Sequence, residues 1–338
     1  MGVLTRAKNR RLDLEERLAD WISSLPDGVL GDIVSLLPTK DGARTQVLSS
    51  HSAGSSILAS NISHILSAHP GPCHRFVMPR RYVEYPSRRT LDGWLRSPLL
   101  DNLQELDFNN SLLLPSVHRL SSTLCVARFG ACRFADGNDA SPLQLPLLKQ
   151  LTLFAVEISE SSLHALLAGC PVLESLLLLH NSGFRRLQIV SSSLRSVGVD
   201  SGGLCGIRLQ QLDIDNAPCL ERLLYFGRTE MNISVISAPR LAILGKLFDG
   251  FPRLQFGATV FQGATIVSMS VVVSSVKVLA IYDVNLCLDA LINLLKCFPH
   301  LQKLYIEIKR VWGKDWCTYR KLDIGLRKIV LRNYRGNK

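Results

Sequence analysis

Several things are scarce in this 338-residue chain. Charged residues make up 20% and aromatics 7%, methionine occurs four times, and none of the nine cysteines stands in a C-x-x-C pair. No run approaches the ~18 unbroken apolar residues of a membrane-spanning helix. The most apolar window, residues 266–281, is cut by Ser270, Ser274, Ser275 and Lys277, and its β-branched content suits buried strands. Catalytic signatures are missing too: there is no P-loop, no H-E-x-x-H, no nucleophile elbow and no Rossmann glycine pattern. No Cys/His cluster has metal-ligand spacing, so neither a metal nor a cofactor is expected. The eight histidines are scattered. His164, on an expected helix, and His180, just after an expected strand, read as surface or hydrogen-bonded structural residues.

Residues 1–17 are charged and lack an apolar core, so they are not a secretory signal. Arg6 stands where a myristoylation site needs Ser or Thr. The odd cysteine count then implies reduced thiols, with Cys170, Cys287 and Cys297 as small core residues. The glycosylation pattern at Asn61 and Asn232 carries no meaning without secretion. An intracellular location, cytoplasm and/or nucleus, is expected, and no membrane partner. Arg6, Lys8, Arg10 and Arg11 fit either a nuclear import signal or a solvated tail.

What the chain has in abundance is apolar side chains, 47%, on a net charge of +11. That composition is globular, and the charge permits acidic partners. The basic residues thicken over the last thirty positions, from Lys309 and Arg310 to Arg335 and Lys338. No aromatic platform accompanies them, so they read as a solvated face and nucleic acid is not the expected partner.

The apolar residues are periodic. Within residues 145–179, Leu148, Leu151 and Leu153 have offsets 0, 3 and 5, and Leu173, Leu176 and Leu178 repeat them. Between them Leu163, Leu166 and Leu167 fall on one helical face, with Ser159 placed to cap it and Gly169 and Pro171 to end it. One such unit cannot bury its own leucines and needs copies on both sides. Copies follow at Leu103, Leu124, Leu187, Leu194, Leu209, Leu220, Leu241, Val276, Leu301 and Leu326. The better-spaced ones recur every 20–26 residues or so, within the leucine-rich-repeat range. L-x-x-L-x-L places alternate side chains inward on a strand. The expectation is therefore a leucine-rich-repeat solenoid of the α/β class. A parallel sheet lines its concave face, and helices and loops line its convex face, including residues 159–168 and 285–296. Alternation points Gln150, Thr152, Glu174, Gln188, Gln211, Asp213, Lys303 and Tyr305 outward, as candidates to hold a target protein; Arg195 and Arg222 alternate outward as well.

The N-terminal part differs. Leu25-Pro26 opens a stretch in which Val29, Leu30, Ile33, Leu36 and Leu37 have helical spacing. Pro38 ends that helix, and Thr39 can cap a second one carrying Ala43, Val47 and Leu48. Such an αα unit is too small to fold alone and must rest on a neighbour or a partner. Leu25-Pro26, Leu30, Ile33, Leu36 to Asp41 and Ala43-Arg44 resemble the first two-thirds of the F-box of plant F-box/leucine-rich-repeat proteins. The GCPVLESL and CFPHLQKL segments resemble the repeats of that family, and residues 322–338 the opening of its C-terminal FBD module. One departure stands out: no tryptophan occurs between Trp21 and Trp94, where the family has a tryptophan-rich third helix. Either residues 57–66 replace that helix or the module is damaged.

The resemblance implies a substrate-recognition subunit of a Skp–cullin–F-box ubiquitin ligase that catalyses nothing. Leu25, Pro26, Leu30, Ile33 and Leu36 would face the Skp-type adaptor, and through it a cullin. The repeats would hold an unknown target protein. A scaffold with a vestigial F-box and no ligase is the alternative; a basic nucleic-acid binder is a third reading, carried by charge alone. The implied organisation is a flexible basic N-terminus (1–19), an F-box-like all-α module (20–66), a linker (67–86), a repeat array (87–317) and a last repeat with the start of a truncated FBD-like segment (318–338).

Overall fold

The computed structural model describes residues 59–69, 71–78, 86–109, 113–134, 142–200, 206–227, 231–247, 253–262, 265–268, 273–284, 295–308 and 327–332. The chain divides into two compact units, Met1–Glu105 and Leu106–Lys338. The expected F-box helices and the adaptor-facing residues Leu25, Pro26, Leu30, Ile33 and Leu36 lie outside the described residues.

In the first unit, α1 (Ala59–Ala68) falls where a substitute third helix was expected. It is followed by β1 (Arg75–Val77) and α2 (Arg88–Leu95). Ser87 caps α2 by accepting a hydrogen bond from the Thr90 amide. Leu91, Trp94 and Leu95 lie on its buried face. The Trp94 indole N–H finds its partner in the Ser63 hydroxyl of α1, at 2.8 Å. A buried indole needs such an acceptor, so this bond fixes how the two helices meet.

The second unit is a parallel-sheet solenoid. Its main sheet runs β2 (Glu105–Asn109), β3 (Val126–Gly130), β4 (Gln150–Phe154), β5 (Ser175–Leu179), β7 (Ser196–Val199), β9 (Arg222–Tyr225), β11 (Ile243–Leu247), β15 (Val278–Val284), β16 (Lys303–Ile308) and β17 (Lys328–Arg332). From β3 onward the pairing is parallel and in register. Val126, Gln150, Ser175, Ser196, Arg222, Ile243, Val278, Lys303 and Lys328 form one rung across it. These positions are 21–26 residues apart except for the longer step from Ile243 to Val278. The repeat residues stack on the inner side. Ala127, Leu151, Leu176, Val197, Leu223, Leu244, Leu279 and Leu304 are all buried to within 2% of full exposure lost. Each large one of them contributes ~1.5–3 kcal/mol by leaving water.

The opposite wall of the coil is not what periodicity alone suggests. The short copies at Leu187 and Leu209 do not join the main sheet. They form β6 (Arg186–Val190) and β8 (Gln211–Asn216), which pair with β10 (Asn232–Val235) and β12 (Arg253–Phe256) in a second parallel sheet. The chain therefore alternates, one strand per wall, from β5 to β12. The reason is length. The 21–26 residues of a coil hold two four- to six-residue strands and two turns, and both strands carry a period-two pattern that sequence cannot allot to one wall or the other. The second sheet ends in antiparallel pairing with β13 (Thr259–Gln262) and β14 (Thr265–Ser268), entered through a turn with Gly257 at φ 54°. This insertion accounts for the long step before β15.

α3 (Glu160–Ala168) is the helix expected between the two leading repeats, capped by Ser159 and ended at Gly169. It also closes the open edge of the second sheet. The Glu160 carboxylate accepts from the Arg185 and Arg186 amides, and His164 Nε2 accepts from the Gln188 amide at 3.2 Å. An edge strand with free N–H groups invites further pairing; here side chains one turn apart on a helix occupy them. His164 thus has the structural role read from sequence, in the tautomer that leaves Nε2 free to accept. Most of the second expected helix, residues 285–294, lies outside the described residues.

At the strand ends, Ala131, Ala155 and His180 take left-handed backbone conformations at equivalent places after β3, β4 and β5. The turn after β5 is tied to its neighbour by Asn181, which is 4% exposed. Its Oδ1 accepts from the Val156 amide at 2.8 Å, and its Nδ2 donates to the Leu153 carbonyl at 3.0 Å. One buried amide thereby satisfies backbone groups of the preceding coil.

All six described cysteines are free thiols, and Cys170 and Cys297 are core residues as expected; Cys287 lies outside the described residues. Burial pushes the thiols of Cys132 and Cys170 up to about 12. Two predictions follow from this packing. Asn181→Ala removes both hydrogen bonds and leaves buried backbone groups unpaired, so urea unfolding should show a loss of ~1–3 kcal/mol. At pH 8 in the native state, mass spectrometry after iodoacetamide treatment should find Cys125 and Cys219 alkylated and Cys132 and Cys170 untouched until denaturant is added.

Candidate protein-docking face

A sheet whose strands bury one face leaves the other face to be read rung by rung. On the main sheet, the row after the buried leucines is Arg128, Thr152, Leu177, Gly198, Leu224 and Gly245, then Ala280 and Tyr305, with Gly245 directly against Ala280. Its middle is apolar. Leu177 and Leu224 are half-buried, and beyond them stand Phe154 and Phe226, 37% and 42% exposed. Gly198 sits under this cluster: a Cβ there would come within 2.7 Å of Leu177 Cδ1 and 3.0 Å of Phe226 Cε2. The glycine lets those two side chains fold over the strand and join into one patch. An apolar patch rimmed by polar groups marks an interaction surface more often than an isolated exposed leucine does.

The rim is charged. At the strand starts, Lys149 pairs with Glu174 at 3.9 Å and Arg195 with Glu221 at 3.0 Å. At the strand ends, His180 Nδ1 stands 3.0 Å from the Asp200 carboxylate and meets the Phe154 ring edge-on at 5.7 Å. The two exposed pairs at the strand starts contribute little to stability, but with His180 and the buried Asp200 they order the border of the patch.

The second sheet's outer face is polar along most of its strands, with Val190 and Ile236 exposed at the strand ends. Gln188 Nε2 donates to the Asp215 carboxylate, and Gln211 Nε2 donates to Asp213 at 2.8 Å. Arg186 lies 3.6 Å from Asp213, Arg253 donates to Gln255, and Gln255 donates to the Gly257 carbonyl. The polar groups of this wall satisfy one another.

The candidate contact residues consequently separate. Gln150, Thr152, Glu174, Lys303 and Tyr305 share the outer side of the main sheet, with Glu174 engaged to Lys149 at its rim. Arg195 and Arg222 lie along the same strand starts. Gln188, Gln211 and Asp213 stand on the second sheet instead, because β6 and β8 belong to the other wall. Sequence reasoning passed over Leu177, Phe154, Leu224 and Phe226. The signal was present in the unbroken leucines of residues 176–179 and in Leu223-Leu224: a strand apolar at consecutive positions is apolar on both faces.

Among the described residues, no three of His, Cys, Asp and Glu converge as a metal site, and no helix is long and apolar enough to cross a membrane. What the arrangement offers is a surface.

Comparison with known proteins shows the family. The family model described as FBD-associated F-box protein At5g56370, LRR repeats, matches residues 91–306. F-box/LRR-repeat protein At1g55660 of Arabidopsis thaliana is 27% identical over 90% of this chain and 90% of its own length. F-box/LRR-repeat protein At4g14103 of the same plant is 30% identical over 47% of the chain and 49% of its length. F-box/LRR-repeat protein At3g59200 is 29% identical over 53% of the chain and 40% of its length. The chain spans about half the length of several further Arabidopsis relatives. No solved structure matches it.

The two faces of the main sheet should respond differently to mutation. Leu176→Ala, in the buried rung, should cost ~2–5 kcal/mol in a denaturant melt. Leu177→Ser with Phe226→Ser, on the outer face, should cost less than ~1.5 kcal/mol between them and lower binding of a hydrophobic dye such as ANS.

Proposed function

The chain belongs to the FBD-associated F-box family with leucine-rich repeats, and from that premise we propose that it is the substrate-recognition subunit of a Skp–cullin–F-box E3 ubiquitin ligase. It catalyses nothing itself and acts inside the cell. Leu25, Pro26, Leu30, Ile33 and Leu36 hold the Skp-type adaptor by apolar burial, and a cullin follows through the adaptor. The repeats hold a target protein on the outer side of the main sheet.

The observation that carries the second half of this reading is the apolar patch over Gly198. A protein partner gains affinity by covering such a cluster, while the polar rim supplies orientation. Gln150, Thr152, Tyr305 and Lys303 flank the patch and belong to the same surface. On the second sheet the polar groups are paired to one another, and the exposed Val190 and Ile236 stand at its strand ends rather than over a glycine that gathers them.

One sequence feature favours a second reading, a scaffold with no ligase association: the absence of tryptophan between Trp21 and Trp94. Co-purification separates the two. Full-length chain co-expressed with a Skp-type adaptor and a cullin should recover both, and Ile33→Asp should reduce recovery at least tenfold without changing the melting curve of the repeats. Recovery of neither by the wild-type chain, with the repeats folded, ends the ligase reading and leaves the scaffold.

A further inference from the structure

Resting on the reading that the main sheet's outer side receives the target, we infer that this target presents a cluster of acidic side chains beside its apolar anchor. Lys277, Lys303, Arg327 and Lys328 are the groups that receive that cluster.

The argument begins with the rim at the strand starts. Along the first coils it alternates in sign and closes on itself, Lys149 with Glu174 and Arg195 with Glu221. From β15 onward the alternation stops. Lys303 and Lys328 are direct partners in the parallel register, and Val278 partners Lys303 on the other side. Lys277 immediately precedes Val278, and Arg327 immediately precedes Lys328. The backbone binds these starts together: the amides of Gln302 and Lys303 donate to the Lys277 carbonyl, and those of Arg327 and Lys328 to the Gln302 carbonyl. Four exposed cations thus occupy three neighbouring strand starts, ~10 Å across at the spacing of paired strands. Among the described residues none of the four has a carboxylate within ion-pair distance. Like charges opposite one another on a sheet repel, and an anionic ligand relieves that repulsion.

Position makes the cluster more than a solvated face. It lies at one end of the outer surface that holds the apolar patch, connected to it through Tyr305, Ala280, Gly245 and Leu224 of the same rung. A segment laid across the strands can put an apolar side chain on Leu177 and Phe226 and carboxylates on the lysines. Nucleic acid fits less well. Its regular phosphates call for cations along a track and for several stacking aromatics, whereas here the rim at the first coils pairs Lys149 with Glu174 and Arg195 with Glu221, and Tyr305 is the one aromatic on the adjoining rung among the described residues. Charge complementarity of this kind sets on-rate and partner choice more than total affinity.

The test uses full-length chain and fluorescein-labelled peptides of about twelve residues with a Leu-Phe-Leu centre, flanked on one side by glutamates, serines or lysines. Fluorescence polarisation should show the glutamate peptide binding at least tenfold tighter than the serine peptide. The advantage should vanish at high salt and in the variant Lys277→Glu/Lys303→Glu/Arg327→Glu/Lys328→Glu. The milder Lys303→Gln/Lys328→Gln should remove part of it, and Arg186→Glu/Arg253→Glu on the second sheet should leave it intact. Equal binding of glutamate and serine peptides, or an advantage that survives the charge reversal, overturns the inference. So does tighter binding of a labelled oligothymidine that the same reversal abolishes. Adaptor recovery is measured on the same preparations. If it persists while the peptides are not distinguished, this inference fails and the ligase reading stands. If the peptides are distinguished and adaptor recovery fails, the acidic docking surface stands and the ligase reading falls.

Discussion

Each coil of the second unit has its inner leucines covered only by the coils before and after it. Leu151 is sheltered by Ala127 and Leu176, Leu176 by Val197, and so on to Leu304. A single coil of 21–26 residues has too little interior to remain folded, so stability is shared between neighbours rather than held in one centre. The parallel register follows from this constraint. Only in-register strands bring the same repeat position of every coil to the same depth, and a slip of one residue would turn the leucines outward. Asn181 reinforces that register with a buried amide between coils, and α3 protects the open edge of the second sheet.

The same constraint produces the surface that function needs. Once the inner rungs are committed to the core, the outer rungs are held at fixed spacing on a rigid sheet, and their chemistry is free to vary. On the second sheet that freedom is spent mostly on amides and charges that pair with each other, with Val190 and Ile236 exposed at the strand ends. On the main sheet it leaves Leu177, Leu224 and Phe226 grouped over Gly198, with ion pairs along the rim of the first coils and the neighbouring Lys303 and Lys328 at the far end. Rigidity matters here, since a preordered surface loses less entropy when a partner docks.

Much of the fold is legible in the residues. The offsets of Leu148, Leu151 and Leu153, the Ser159 cap and the Gly169 stop specify β4 and α3 without ambiguity, because helix and strand periods differ and the caps mark the boundaries. The copies at Leu301 and Leu326 are equally clear as β16 and β17. Less legible was the assignment of strands to walls. LQI at residues 187–189 and LRSVGV at 194–199 carry the same alternation, and nothing local distinguishes a strand that returns to the main sheet from one that starts a second. Three of the outward residues, Gln188, Gln211 and Asp213, consequently stand on the second sheet, and no local pattern marks the antiparallel extension that follows Gly257.

Local periodicity alone determined that this chain builds strands, that they stack through leucines, and that a helix interrupts them at residue 160. Which strands became neighbours, and which outer side chains therefore met, was decided only by the closing of the coils. Gly198 has no partners in sequence, yet Leu177 lies one coil before it and Phe226 one coil after, and folding brings both onto it. Lys303 and Lys328 are likewise a coil apart in the chain and side by side in the sheet. Spacing along the chain encodes what each residue faces; proximity between coils is a property of the whole stack, since the hydrogen bonds that create it join residues that no local pattern connects.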